Sequence, residues 1–257
     1  MILVAVVAGL LIGASLGALG GGGSILTVPA LVYLLGQSPH RATTASLMVV
    51  GAAAIVGAVA HARSGRVRLK TGAMFGVLGI AGSYAGSLAS AAVPANVLLA
   101  GFGLFMLAVA AVMIVRRRSH ARPGRAAAST GARHTIMVAA AATGVGLITG
   151  FFGVGGGFVV VPALVLVLGF DMPTAAGTSL VVIAVNSAAA LAARAGHGSL
   201  TLDWPLIGAF AAGAVTGVLA GGSLAGRASP QRLSAAFTVL VILVAGYTLI
   251  RSLPGLV

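Results

Sequence analysis

The sequence predicts an all-α membrane protein that crosses the bilayer several times and consists of two repeated halves. Of its 257 residues, 59% are hydrophobic and only 7% are charged, whereas a soluble domain carries about 25% charged residues. Several apolar runs approach the roughly 20 residues that span a bilayer core. A glycine-rich interruption of these runs also occurs twice. So few polar residues could not cover a globular surface, and this excludes a soluble domain.

The two interruptions are the strongest evidence for the repeat. The first break, residues 20–24, reads Gly-Gly-Gly-Gly-Ser, and the second break, residues 153–157, reads Gly-Val-Gly-Gly-Gly. A shift of 133 residues superimposes them, and ten of the seventeen positions from Gly20 to Gly36 are then identical. Glycine is unfavourable within a helix because it leaves the backbone loose. Matched interruptions of apolar segments indicate the binding site of a transporter.

The first half, residues 1–115, is predicted to be a broken segment followed by three spans. In chain order its parts are 1–19, the first break, 24–35, a turn at 36–40, 42–60, the basic loop 61–70, 71–93 and 94–115. Gly76, Gly79, Gly82 and Gly86 are spaced for close helix packing in the span 71–93. Pro94 suits the first turn of a helix, where its missing N–H costs little.

The linker 116–133 contains six arginines and separates the halves as a basic cytoplasmic segment. The second half, residues 134–257, repeats the plan of the first. Its parts are 134–152, the second break, 158–168, a turn at 170–173, 174–193, a loop at 194–203, 204–225, and a helix from Pro230 to about Arg251. Gly213, Gly217 and Gly221 again have helical spacing.

Segment length and loop charge favour halves of inverted orientation. As one straight helix, residues 2–35 would be about 50 Å long, against a bilayer core of about 30 Å. We expect the chain to turn back at the glycines, which gives an odd number of crossings per half and inverts the second half. A straight but broken helix would give parallel halves instead. Basic residues are concentrated in loop 61–70 but not in its counterpart 194–203. The next pair of loops shows the opposite bias, since residues 91–96 carry no charge and their counterpart carries Arg227 and Arg232. The pair of Arg41 and Asp171 does not fit this pattern. The positive-inside rule then places loop 61–70 and the linker in the cytoplasm.

The net charge of +13 comes from 15 basic residues against only Asp171 and Asp203. The arginines lie between apolar runs, where they act as topology anchors. We expect no nucleic-acid partner, since a basic groove with stacking aromatics is missing. With no cysteine and no acidic residue inside a span, the chain lacks thiolate chemistry, a carboxylate proton relay and a sodium cage. We therefore expect no enzyme, no catalytic residue, no metal and no cofactor, and we interpret His61 and His197 as solvated loop residues.

Candidate substrate-binding groups lie at the two breaks. A helix that starts after the glycines leaves its first N–H groups without intrahelical partners, and such donors suit an anion. Ser24 could cap the first of these helices. The alternative is that the glycines only allow helices to cross closely. The candidates at the breaks are Gly22, Gly23, Ser24, Gly155, Gly156 and Gly157.

Further candidates follow each short segment. Ser46 in the first half aligns with Ser179 in the second, beside Thr178, and we interpret these positions as helix starts where hydroxyls could instead serve only as caps. Asn186 lies seven residues after Ser179, on nearly the same helix face. An amide within an apolar span needs a partner. It could bind a substrate oxygen or hold two helices together.

Two stretches around the breaks, GGGGSILTVPAL at 20–31 and GFFGVGGGFVVVP at 150–162, carry a resemblance to a known family. Together with Thr178-Ser179-Leu180, they resemble the duplicated signature of the sulfite exporter TauE/SafE family. The resemblance covers nearly the whole chain. The resemblance implies a multi-pass permease of the bacterial inner (plasma) membrane for sulfite, sulfonates or other small organic anions. The partners that we expect are that anion and the lipid bilayer, and association into a homo-oligomer is left open.

We therefore predict a secondary transporter whose halves rock around a central anion site, with the coupling ion left open. A passive anion channel is the alternative, since paired breaks could line a continuous wet path. A third class, an assembly factor without a substrate, gives no reason for a duplicated break.

Overall fold

The computed structural model describes residues 1–90, 93, 95–118, 132–152, 157–195 and 203–252, and within them the chain forms ten α-helices. They are α1 (Ile2–Leu19), α2 (Ser24–Pro29), α3 (Pro39–Arg63), α4 (Leu69–Ser90), α5 (Ala95–Arg118), α6 (Ala132–Phe152), α7 (Gly157–Leu166), α8 (Met172–Ala195), α9 (Trp204–Arg227) and α10 (Pro230–Ser252). A 3₁₀ turn, Gly21–Gly23, precedes α2, and a π-helical turn, Ala30–Leu34, follows it. The predicted all-α class is confirmed.

Among the described residues, five helices are long and apolar enough to cross a membrane by length and composition. Their apolar spans are Ile2–Leu19, Arg41–Arg63, Met172–Ala192, Trp204–Arg227 and Pro230–Tyr247. Several helices also begin earlier than the hydrophobic pattern indicates, because the turn before them supplies the first helical residues. Pro39 and Pro230 each open a helix, where the missing N–H has no helical partner to lose. The carboxylate of Asp203 accepts a hydrogen bond from the N–H of Leu206 and so caps α9.

Glycine stripes bring α1 and α9 into backbone contact. A Cβ added to Gly13 would strike the carbonyl oxygen of Ala214, and one added to Gly217 would strike that of Leu10. Successive contacts ascend together along both helices, so α1 and α9 run parallel. The contacts pair Gly9 with Phe210, Gly17 with Val218, Gly213 with Val6 and Gly221 with Ala14.

The same kind of contact joins α4 to α6. A Cβ on Gly82 would strike the carbonyl oxygen of Thr143, and one on Gly86 would strike that of Leu147. These helices therefore also run parallel. The prediction that Gly76, Gly79, Gly82 and Gly86 serve close helix packing is confirmed, and the regularly spaced glycines of α9 pack in the same way.

Contacts between the remaining neighbours fix the direction of the other central helices. Gly57 and His61 of α3 approach Val218 and Gly222 of α9 in ascending order, so α3 runs parallel to α9. On α4, Gly72 lies against Val181 and Gly76 against Val185, so α4 runs parallel to α8. The contacts of α3 with α8 descend instead, from Gly51 against Ser187 to His61 against Gly177, so this pair is antiparallel.

It follows that α1, α3 and α9 run in one direction and that α4, α6 and α8 run in the other. Each helix is thus opposite to its predicted counterpart in the other half: α1 to α6, α3 to α8, and α4 to α9. The chain also returns between α1 and α3, which it must do for both to point the same way. The internal duplication remains a prediction from the sequence, and this pairing supports it.

The buried residues form two clusters that meet at α8. One cluster joins α5, α6, α7 and α10 around Phe102, Met106 and Phe237. The other joins α1, α2, α3 and α9 around Leu16 and Phe210. Neighbouring residues of α8 enter both clusters, with Val182 in the first and Ile183 in the second. The helix that carries Thr178, Ser179 and Asn186 therefore contributes to both clusters, as α1 and α9 also do.

We expect Gly217→Ala to destabilise the protein, because the new Cβ would meet the backbone of α1 rather than a side chain that can rotate away. Overpacking of this kind costs about 1–3 kcal/mol. The measurement is the melting temperature of purified protein in detergent. Gly208→Ala is the matched control, since it lies on the same helix and a Cβ there meets nothing within 4 Å. Equal melting temperatures for the two variants would contradict the described contact of α1 with α9.

Candidate substrate site at the glycine breaks

The first break ends α1 at Gly20. Its φ of 72° is a left-handed backbone conformation that strongly favours glycine. A Cβ at this position would strike the hydroxyl oxygen of Ser179 and lie 2.9 Å from the Cα of Ala176. The break therefore lies directly against the first turns of α8.

The second break meets the first. A Cβ on Gly157, the first residue of α7, would lie 2.5 Å from Oγ of Ser24 and 3.2 Å from the Cα of Gly21. Ser24 and Gly157 are also counterparts under the shift of 133 residues. The start of the helical run that contains α2 and the start of α7 are thus in contact inside the protein. Gly155 and Gly156 lie outside the described residues.

The remaining glycines of the first break have a packing role. A Cβ on Gly22 would lie 2.8 Å from a methyl group of Leu240, and one on Gly23 would lie 2.7 Å from the backbone nitrogen of Leu16. At Gly22 and Gly23, therefore, the absence of a side chain allows neighbouring helices to pack closely. The N–H groups of Gly21 and Gly22 lie at the start of the helical run, where the first N–H groups have no acceptor within that run.

Ser24 is not the helix cap that its position in the sequence suggests. Gly23 already has helical backbone angles, so the helical run begins at Gly21 and Ser24 lies within its first turns. The Ser24 hydroxyl donates a hydrogen bond of 2.7 Å to the carbonyl oxygen of Gly21. It therefore stabilises the 3₁₀ turn of the break and does not accept a hydrogen bond from the N–H groups at the helix start.

Ser46, Thr178 and Ser179 are also not at helix starts, because α3 and α8 begin about two turns earlier. The hydroxyl of Ser46 donates to the carbonyl of Thr43 at 2.8 Å, and that of Ser179 donates to the carbonyl of Ala176 at 2.7 Å. Such bonds to the preceding turn satisfy a hydroxyl in an apolar helix. Thr178 instead accepts a hydrogen bond of 3.1 Å from the backbone N–H of Arg68. The capping interpretation is wrong for all three residues.

Asn186 extends the face of α8 that contacts both breaks. Ala176 and Ser179 on this face lie against Gly20, and Ile183 lies against Gly157. The spacing of three, four and three residues places Asn186 on the same face, one turn beyond Ile183. Its side-chain oxygen is buried and has no hydrogen-bond partner among the described residues. This oxygen therefore joins α8 to no other described helix.

The sequence reasoning missed Thr149, whose hydroxyl is likewise buried and has no partner in the described part of the chain. Thr149 is the counterpart of Leu16, which packs against Gly23 in the first half. A hydroxyl four residues before the second break is the signal that could have identified it. Thr149 and Asn186 are buried polar groups whose partners the described structure does not supply.

His61 is not a solvated loop residue. It lies within α3, is only 4% exposed, and donates a hydrogen bond of 2.9 Å from Nε2 to the carbonyl oxygen of Gly17. The helix simply continues past the predicted end of the span at residue 60 and takes His61 with it. His197 falls outside the described residues.

The contacts bring Ser24, Gly157 and Ser179 together around the two breaks, and Asn186 lies further along the same face of α8. The polar groups of this region comprise the start of a helical run, whose first N–H groups have no acceptor within that run, hydroxyls that already have one partner, and an amide whose oxygen has none. Such groups can replace the hydration of a small oxyanion through hydrogen bonds. No charged residue occurs in the sequence between residues 10 and 35 or between residues 172 and 193. The basic residue that follows the second range is Arg194.

The comparison with known proteins covers almost the whole chain. A family model described as "Sulfite exporter TauE/SafE" matches residues 5–248. Probable membrane transporter proteins of two Xylella fastidiosa strains, 9a5c and Temecula1, are 36% and 34% identical to it, over all of this chain and 98% of theirs. The probable membrane transporter protein YdhB of Bacillus subtilis is 29% identical over 67% of this chain and 70% of its own. No solved structure matches the chain.

We expect Gly20→Ala to destabilise the protein more than Gly36→Ala. Both glycines have positive φ, at 72° and 64°, and an L-residue there costs about 1–2 kcal/mol. A Cβ at Gly36 meets nothing within 4 Å, whereas one at Gly20 strikes Ser179. The difference in melting temperature between the two variants measures the contact of the first break with α8. Equal losses would mean that the break does not lie against Ser179.

Proposed function

The chain belongs to the sulfite exporter TauE/SafE family and is a membrane transporter, and from this premise we propose that it is a secondary transporter for small sulfur-containing or organic anions. Sulfite and sulfonates are the substrates that we propose, and the bacterial inner membrane is the proposed location. The observation that carries the proposal is the buried, unpartnered oxygen of Asn186 on the face of α8 that contacts both breaks.

The charge of the substrate follows from the two helix starts. Each helix N-terminus is equivalent to about half a positive elementary charge. Two such starts in contact compensate about one negative charge without any basic side chain. The sequence also places no acidic residue within the spans that would repel an anion. A small oxyanion therefore fits the electrostatics of the meeting point better than a cation does.

The polar groups of the site explain how an oxyanion would be oriented. The N–H groups of Gly21 and Gly22 would donate to its oxygens, and the Asn186 amide would add one more hydrogen bond. A buried polar group without a partner costs about 1–3 kcal/mol. Retaining Asn186 and Thr149 at that cost is reasonable if a ligand pairs with them, since an apolar side chain would otherwise be more stable there.

Opposite helix directions in the two predicted halves support transport by alternating access. In a transporter with inverted halves, the two halves can exchange conformations. The exchange closes the side of the site that was open and opens the side that was closed. The starts of α2 and α7 are the pair that would remain near the axis of this exchange, because they are counterparts and touch each other.

We expect Asn186→Leu to lower the uptake of radiolabelled sulfite into proteoliposomes by about ten- to a hundredfold. A hydrogen bond to a charged ligand contributes about 1.5–3 kcal/mol, which corresponds to that range. The melting temperature without substrate should be unchanged or higher, because the substitution removes an unpartnered polar group. Ser223→Ala, on the exposed side of α9, is the control and should transport normally.

The same vesicles distinguish the alternatives. Saturable counterflow, in which unlabelled substrate inside accelerates the entry of labelled substrate, is expected of a carrier. Single-channel current without counterflow would support the anion channel instead. Normal transport by Asn186→Leu would remove Asn186 from the site, and the absence of any flux of sulfite, methanesulfonate or acetate would contradict the proposed function.

A further inference from the structure

His61 lies where four helices converge. It belongs to α3, it is 4% exposed, and its Nε2 donates to the carbonyl oxygen of Gly17 in the last turn of α1 at 2.9 Å. The last four carbonyls of a helix have no donor within it. The imidazole therefore satisfies one of the carbonyl groups that the first break leaves without a helical partner.

Glycines on two further helices make room for the imidazole. A Cβ on Gly222 of α9 would lie 3.2 Å from Nε2, and one on Gly177 of α8 would lie 3.0 Å from the Cβ of His61. Any larger residue at either position would press on the imidazole or its attachment. The arrangement thus depends on close contact from α8 and α9 as well as on the hydrogen bond to α1.

The loop after α3, residues 64–68, closes over the same region. The guanidinium of Arg66 lies 3.0 Å from where a Cβ of Gly226 would stand, at the end of α9. The backbone N–H of Arg68 donates to the hydroxyl of Thr178 in α8. This end of the protein is therefore held by contacts of α3 and its loop with α1, α8 and α9.

The contact also controls the position of the first break. Gly20 follows Gly17 by one helical turn and lies against Ala176 and Ser179. Holding the last turn of α1 at His61 therefore holds Gly20 against α8. Under the shift of 133 residues the counterpart of His61 is Arg194, so the imidazole occurs in one predicted half only.

We propose that His61 is a positioning residue that keeps the first break closed against α8 and so seals the substrate site on the side of loop 64–68. Release of the hydrogen bond between His61 and Gly17 would let the end of α1 move away from Ser179 and open that side. The inference rests on the proposed function for the identity of the site that is sealed. The seal itself rests on the contacts of His61 alone.

The natural absence of cysteine allows a direct test. Ser179→Cys places a single thiol behind the seal, and a membrane-impermeant maleimide reports its accessibility in membrane vesicles of both orientations. Labelling should be slow in the otherwise natural chain. His61→Ala should accelerate it by about tenfold, the change that one lost hydrogen bond produces, and only from the side of loop 64–68. His61→Gln retains an N–H donor and should restore slow labelling.

Two comparisons separate the seal from a general loosening of the fold. Gly222→Ala should also accelerate labelling of Ser179→Cys, because its methyl group would stand 3.2 Å from Nε2, whereas Gly208→Ala on the same helix should not. Ala110→Cys, buried in α5, should keep its slow labelling in every variant. The proposal is overturned if His61→Ala leaves Ser179→Cys slow, accelerates it equally from both sides, or accelerates Ala110→Cys to the same extent. Labelling needs no substrate, so a failure of anion uptake would overturn the proposed function and leave this result standing.

Discussion

Backbone-to-backbone contact through glycine is the interaction on which the rest of this structure depends. Lipid tails are as apolar as leucine, so helices in a bilayer associate through close van der Waals packing rather than through the hydrophobic effect. The contacts of α1 with α9 and of α4 with α6 provide this packing between the two predicted halves. Because α1 and α6 each lead into a break, their position against the opposite half also fixes where the breaks meet.

The breaks then gain a property that neither would have alone. A single interrupted helix leaves unpaired backbone groups, which are costly at membrane depth unless protein or a cavity surrounds them. Here the start of the run containing α2 contacts the start of α7, and α8 passes beside both, with Ser179 at Gly20 and Ile183 at Gly157. At the end of α1 the carbonyl of Gly17 accepts a hydrogen bond from His61, while the first N–H groups after the break have no acceptor within their own helical run.

The class of protein and the glycine stripes could be predicted from the sequence because they depend on composition and on spacing along one helix. The helix starts could not, since hydrophobic patterning does not register a polar turn such as Pro39-His40-Arg41 that already has helical geometry. Because the predicted helix starts were a few residues too late, Ser46 and Ser179 were predicted at helix ends, whereas they lie in the interior of α3 and α8. The bond from His61 to Gly17 joins residues 44 apart in sequence and depends on how α3 packs against α1, which no local pattern records.

The meeting point of the breaks also explains why the two predicted halves cannot be identical there. Counterpart residues that touch at an axis of approximate symmetry must share one space, and a side chain on both would collide. Gly157 has no room for a Cβ because the hydroxyl of Ser24 occupies it. At most one of the two counterparts can therefore carry a side chain. In the same alignment, Asn186 is the counterpart of Ala53, and His61 is the counterpart of Arg194. The backbone arrangement shared by the halves would supply the two equivalent states of the transporter. These side-chain differences would orient the substrate and distinguish the two sides of the membrane.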